Sequence, residues 1–201
     1  MRDEYEKARK ALEISDAYFS LLAPHRHADT TLAIIERFTS LGRKGLSAPW
    51  WWESFVDQAW TATPDAALDF VGSFLEPQQR YWLVAEARSK KKESAFWVYD
   101  ATGAAIRRIL PECHHHEYYI VDRKMTWLLC ENHHGVVIAC GGHADTVTLT
   151  RQRWARVATR RGLLSIQPAS RLACANDKKK AAPEGGFMRF RPGGLRLDQK
   201  A

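Results

Sequence analysis

Seven residues in two clusters carry most of the reactive chemistry this chain offers: Cys113, His114, His115 and His116, then Cys130, His133 and His134. Each cluster contains a Cys-x-x-His spacing, Cys113 with His116 and Cys130 with His133. Cysteine thiolate and neutral imidazole are both good zinc ligands. If residues 117–122 and 125–130 form a hairpin, its open end brings residue 116 near residue 131. The tip at 131–135 belongs to that same end, so the two pairs could converge on one ion. Zinc held by Cys113, His116, Cys130 and His133 is therefore one expectation.

A second expectation is catalytic. Glu131, His133 and His134 in the run WLLCENHHGVVIACG are the residue types of a metal-dependent hydrolase or nuclease, in which a histidine activates water beside a metal that stabilises phosphate. An HNH-type site needs a helix after the hairpin carrying a further ligand, and here the hairpin is followed by GGHADTVTLT, where His143 sits in a Gly-rich turn. No GxSxG, Walker, GxGxxG or HExxH motif occurs. A third reading is structural. Alternation in WLLC and VVIAC places Cys130 and Cys140 as small buried apolar residues, and Asn132 and Gly135 are ordinary turn formers. The histidines then decorate a turn or a binding surface, joined by the tryptophans Trp50, Trp51 and Trp52. Neither helix nor strand points three consecutive side chains the same way, so one or two of these anchor the core while another meets solvent or a partner.

The elements that must position these residues follow from hydrophobic period. Tyr5, Ala8, Leu12, Phe19 and Leu22 recur at helical spacing over residues 3–22, with Pro24 as the stop. A second helix is expected from an Asp29 cap through Leu41 and packed on the first, and a short third from about Asp65 to Leu75. From Tyr81 the period becomes strand-like. YWLVAEA and SAFWVYD flank the charged connection RSKKKE, a helix spans 102–111, and EYYIVD, MTWLLC and GVVIACG read as three more strands with hairpin-length links. The fold class is α+β, with N-terminal helices on one face of an antiparallel sheet of about five strands, in the order hairpin, helix, three-stranded meander.

The 201 residues carry a net charge of +7, divided unevenly. Residues 151–201 hold 13 Lys and Arg against 3 acidic residues, while residues 1–150 hold 17 against 20. The body is thus mildly acidic, expected as one globular domain over 1–150, and 151–201 is a basic extension expected to lack order in part. Its clustered basic residues, with Phe187 and Phe190 among arginines, make nucleic acid a possible partner of the extension. No apolar run reaches the roughly 18 to 20 residues needed to span a bilayer, and the first twenty residues have no signal-peptide core. No membrane partner and a cytoplasmic location are expected, and the four cysteines are too few and irregular for a disulfide scaffold.

WWWESF at 50–55, EYYIVD at 117–122 and WLLCENHHGVVIACG at 127–141 resemble an uncharacterised family of small bacterial proteins, a domain of unknown function. The resemblance covers roughly residues 40–142 and leaves out the basic extension and the triple histidine. No catalytic residues are assigned in that family, so none carry over. Domains of this type are similar to immunity-type or accessory proteins of bacterial toxin systems, an analogy of type only. The preferred expectation is a non-enzymatic protein-interaction module without cofactor, binding a protein partner through Trp50, Trp51, Trp52, Asn132, His133 and His134. The alternative is the hydrolase or nuclease, with the basic extension holding nucleic acid.

Overall fold

Residues 1–48, 50–86, 96–141 and 166–168 are described by a computed structural model, and all lie within one compact unit, Met1–Ala169. Among the described residues eight strands form one antiparallel sheet: β1 (Phe19–Leu21), β2 (Gln58–Ala62), β3 (Arg80–Glu86), β4 (Phe96–Thr102), β5 (Tyr118–Asp122), β6 (Trp127–Glu131), β7 (Val137–Gly141) and β8 (Ile166–Pro168). Their spatial order is β1-β4-β3-β5-β6-β7-β2-β8. The α+β class stands, and β3 to β7 are the five strands that the period-2 runs predict. Three more join at the margins: β1 beside β4, and β2 then β8 beside β7.

The first expected helix is shorter and the second longer than period suggests. α1 spans Arg2–Ala11, with Asp3 and Glu4 in its first turn and Arg9 and Lys10 in its last, charges that complement the helix dipole. Phe19, expected on that helix, lies instead on β1. Pro24 does not merely stop a helix; it opens α2 (Pro24–Phe38), where its missing N–H costs nothing and its fixed φ suits the first turn. α3 is Ala67–Gly72, and α4 is Gly103–Ile109, capped by the Thr102 hydroxyl accepting from the Ala105 N–H at 3.3 Å.

The helices do not share one face of the sheet. α1, α3 and α4 cover one side, where Tyr5, Phe70, Ile106 and Ile109 pack on Tyr81, Leu83, Tyr99, Tyr118, Ile120 and Leu129. α2 covers the other, where Ile34, Ile35, Phe38 and Trp51 pack on Val84, Val98, Tyr119, Val121, Leu128 and Cys130. α1 and α2 therefore sit on opposite sides of the sheet rather than against each other. The physical reason is written in the strands. β5 and β7 are buried at every position, so both of their faces need a cover.

β8 draws a strand from beyond residue 150. The remainder of 151–201, with Phe187, Phe190 and the nucleic-acid expectation, lies outside the described residues, as do the RSKKKE connection and His143. No helix among the described residues is long and apolar enough to cross a membrane.

Candidate functional site

The register of β5 and β6 sets Tyr118 opposite Glu131 and Tyr119 opposite Cys130. Because side chains alternate across a strand, Glu117 and Tyr119 share the α2 face, while Tyr118 and Glu131 share the α1 face. One end of the sheet thus carries two buried carboxylates, one per face, and each is held by a tyrosine of β5 and a histidine.

On the α2 face, Glu117 is 1% exposed. Its Oε1 accepts from the Tyr119 hydroxyl, whose own oxygen accepts the Trp51 N–H at 3.1 Å, so the phenolic proton is directed at the carboxylate. Its Oε2 accepts from Trp52 Nε1 at 2.9 Å and faces His133 Nδ1 at 3.3 Å. An indole N–H can only donate, and the phenol proton is aimed the same way, so each carboxyl oxygen accepts at least one hydrogen bond. Burial pushes the Glu117 carboxyl up from its ordinary value, and the hydrogen bonds from Tyr119, His133 and Trp52 pull it back.

The aromatic rings close around His133. Its centroid lies 5.6 Å from Trp50, 6.0 Å from Trp52 and 4.0 Å from His134, and Trp52 meets His134 edge-on at 6.0 Å. The three tryptophans part company, as alternation demands. Trp51 is fully buried, its Nε1 donating to the Gly45 carbonyl at 2.8 Å; Trp52 is half-buried over Glu117; Trp50 is 44% exposed. Asn132 is buried and works for the turn, its Oδ1 accepting from the N–H groups of His134 and Val136, both at 3.0 Å. Of the expected binding residues, Trp50, Trp52, His133 and His134 come together as a surface, and Trp51 and Asn132 hold it from beneath.

On the α1 face, Glu131 accepts from the Tyr118 hydroxyl at 2.5 Å and faces His115 Nε2 at 3.3 Å. Beside it, His116 Nδ1 donates to the His114 carbonyl at 2.6 Å, leaving Nε2 to accept from the Tyr5 hydroxyl at 2.5 Å. Burial lowers the His116 pKa. A cleft of about 540 Å3 is lined by Glu131 together with Pro64, Asp65, Leu68, Asp69 and Pro111.

Two constellations expected from spacing do not assemble. The zinc set is split by the sheet. Cys113 and His116 lie with the α1-face core, whereas Cys130 is fully buried among the α2-face residues and His133 sits beyond it on Glu117. Burial pushes the Cys130 thiol well up and the Cys113 thiol to about 11. Among the described residues, no group of three or more His, Cys, Asp and Glu side chains is placed to hold a metal ion. The catalytic set fails for a related reason. β6 ends at Glu131, and the turn at Asn132 carries the chain away from the strand alternation, so Glu131 and His133 serve opposite faces. The carboxylate beside His133 is Glu117. Its place one residue before EYYIVD's tyrosine pair is the signal spacing overlooked, since only the register of β5 on β6 reveals it.

Residues 1–150 match the profile of DUF6756, a family of unknown function. The chain belongs to that family. The match runs across the whole described body except β8, and so takes in the triple histidine and both carboxylate sites, wider than the segment 40–142 on which the motifs lie. No curated protein and no solved structure matches the chain.

Proposed function

We propose that this member of DUF6756 is a non-enzymatic protein-interaction module whose contact surface is the edge formed by Trp50, Trp52, His133 and His134. The observation that carries the reading is Trp50. It is 44% exposed while its neighbour Trp51 is fully buried, and it is held ring to ring with a histidine that a buried carboxylate fixes in place. A large exposed aromatic on a rigid support loses little conformational entropy on binding and gains the most from leaving water, which is why tryptophan dominates interface hot spots. The mildly acidic body suits a basic partner, because charge complementarity speeds encounter. An immunity-type or accessory protein, with a toxin as the partner, is the form of this reading that the sequence resemblance implies.

The test is affinity capture with the full chain and its Trp50→Ala variant from the source cells, with bound proteins identified by mass spectrometry. One protein retained stoichiometrically by the native chain and lost from the variant is expected. Equal recovery on both, or nothing retained by the native chain, overturns the reading.

A further inference from the structure

The Glu117 carboxylate is buried, and among the described residues no lysine or arginine reaches it; His133 is the one basic side chain that faces it. Trp52, Tyr119 and His133 supply its hydrogen bonds, and with the imidazole uncharged none of them offsets a negative charge. Facing a carboxylate, His133 must place its proton on Nδ1, so the lone pair is on Nε2. The His133 side chain is 39% exposed, and no described residue bonds that nitrogen. The result is an outward hydrogen-bond acceptor, backed by a negative charge and bordered by the exposed face of Trp50 and the edge of Trp52.

We infer that this edge takes an arginine side chain of its partner, the guanidinium stacking on Trp50 while one of its N–H groups donates to His133 Nε2. The inference rests on the docking reading above and names its chemistry. A planar cation fits better than an ammonium, since guanidinium stacks on an indole face while donating in its own plane, and is more weakly hydrated. The Glu117 charge supplies the electrostatic preference through the imidazole, as a carboxylate behind a histidine raises the basicity of the far nitrogen. The His134 ring packs beside it, 4.0 Å from His133 between centroids.

The probe is the peptide acetyl-Gly-Arg-Gly-amide, with its citrulline counterpart as the neutral isostere, titrated into the 15N-labelled full chain. The Trp52 indole N–H signal reports directly because that group sits on Glu117. The arginine peptide is expected to move this signal in a saturable way, and the citrulline peptide to bind about tenfold more weakly or worse. Trp50→Ala and His133→Phe are expected to weaken the arginine peptide by a similar factor, with the 15N spectrum away from the site showing that each variant keeps the fold. Equal binding of the two peptides, an arginine response that survives both substitutions, or no saturable shift overturns the inference. The two readings fail separately. Trp50-dependent capture of a protein, with citrulline equal to arginine, leaves the docking surface and removes the arginine; a Trp50-dependent arginine response with no captured protein does the reverse.

Discussion

The indole N–H of Trp52 donates to the Glu117 carboxylate at 2.9 Å, tying the loop after α2 to the end of β5 across 65 residues of sequence. That bond fixes the height of the tryptophan segment over the sheet, and with it the place of Trp50. A charge-assisted bond to a buried acceptor is among the stronger local contributions, about 1.5 to 3 kcal/mol.

Trp52→Phe keeps the ring and deletes the donor. It is expected to lower stability by about 2 kcal/mol, read as a fall in urea midpoint with the slope of the transition unchanged. A change below about 0.5 kcal/mol would show that the bond does not hold the segment.

His116 and His27 give the protein an acid-side weakness. Burial lowers the folded pKa of both, so between that value and the unfolded value of about 6.5 the unfolded chain binds more protons. Their stabilising contribution is complete above about pH 6.5 and is lost as pH falls through the window, at up to about 1.4 kcal/mol per unit for each proton. His116→Asn is expected to flatten the slope of unfolding free energy against pH below about 6.5, leaving the part due to His27. Unchanged slopes in that variant count against the burial of His116 as the cause.

Much of this architecture is legible from period alone, because β3 to β7 are long alternating or fully apolar runs and their links are short. β2 is not. Its QAWTA offers only Trp60 and Thr61 as strand-favouring residues, too few to show a period, and it earns its place by pairing with β7, some 75 residues on, through a ladder that shifts register between Gln58 and Trp60. β1 is only three residues, too short to show a period against the helical spacing of Phe19 from Tyr5 and Leu12. The site divides the same way. Trp50 to Trp52 and His133 are visible as residue types, but which carboxylate His133 meets depends on where β6 stops. One residue of turn at Asn132 exchanges Glu131 for Glu117.

The three described cysteines behave as core atoms. Cys130 and Cys140 are buried, with the Cys140 thiol pushed to about 12, and the half-buried Cys113 reaches about 11. At pH 8 very little thiolate is present at any of them, so alkylation in the native state is expected to spare Cys130 and Cys140 and to proceed only at the rate of unfolding. Peptide mapping after a timed pulse of iodoacetamide checks this. Rapid native labelling of Cys130 would mean that the α2-face core opens locally.

Gly141 has φ +97, and a Cβ there would stand 2.3 Å from the Thr126 carbonyl oxygen at the start of β6. Gly141→Ala must therefore strain its own backbone and push β7 from β6. A loss of at least about 1 to 3 kcal/mol is expected, seen as a lower Tm. Wild-type stability in that variant would place the β6–β7 ladder further apart than its register implies.

The tryptophan triplet provides the cleanest separation of folding from recognition. Trp51 is fully buried between Phe96 and Tyr119, at centroid distances of 4.2 and 4.9 Å, and both of its N–H groups are bonded, so Trp51→Ala leaves a cavity and unpaired partners. It is expected to cost about 3 to 5 kcal/mol, a large share of the 5 to 15 kcal/mol that a domain of this size has in hand. Trp50, one residue away, keeps 44% of its surface exposed, and Trp50→Ala is expected to stay within about 0.5 kcal/mol of the native chain. Denaturant melts of the two variants, run beside partner capture, set the outcome. Trp50→Ala should unfold like the native protein and bind like neither partner nor arginine peptide were present. If it unfolds as early as Trp51→Ala, the exposed ring is a structural strut, and the surface it anchors is not a docking site.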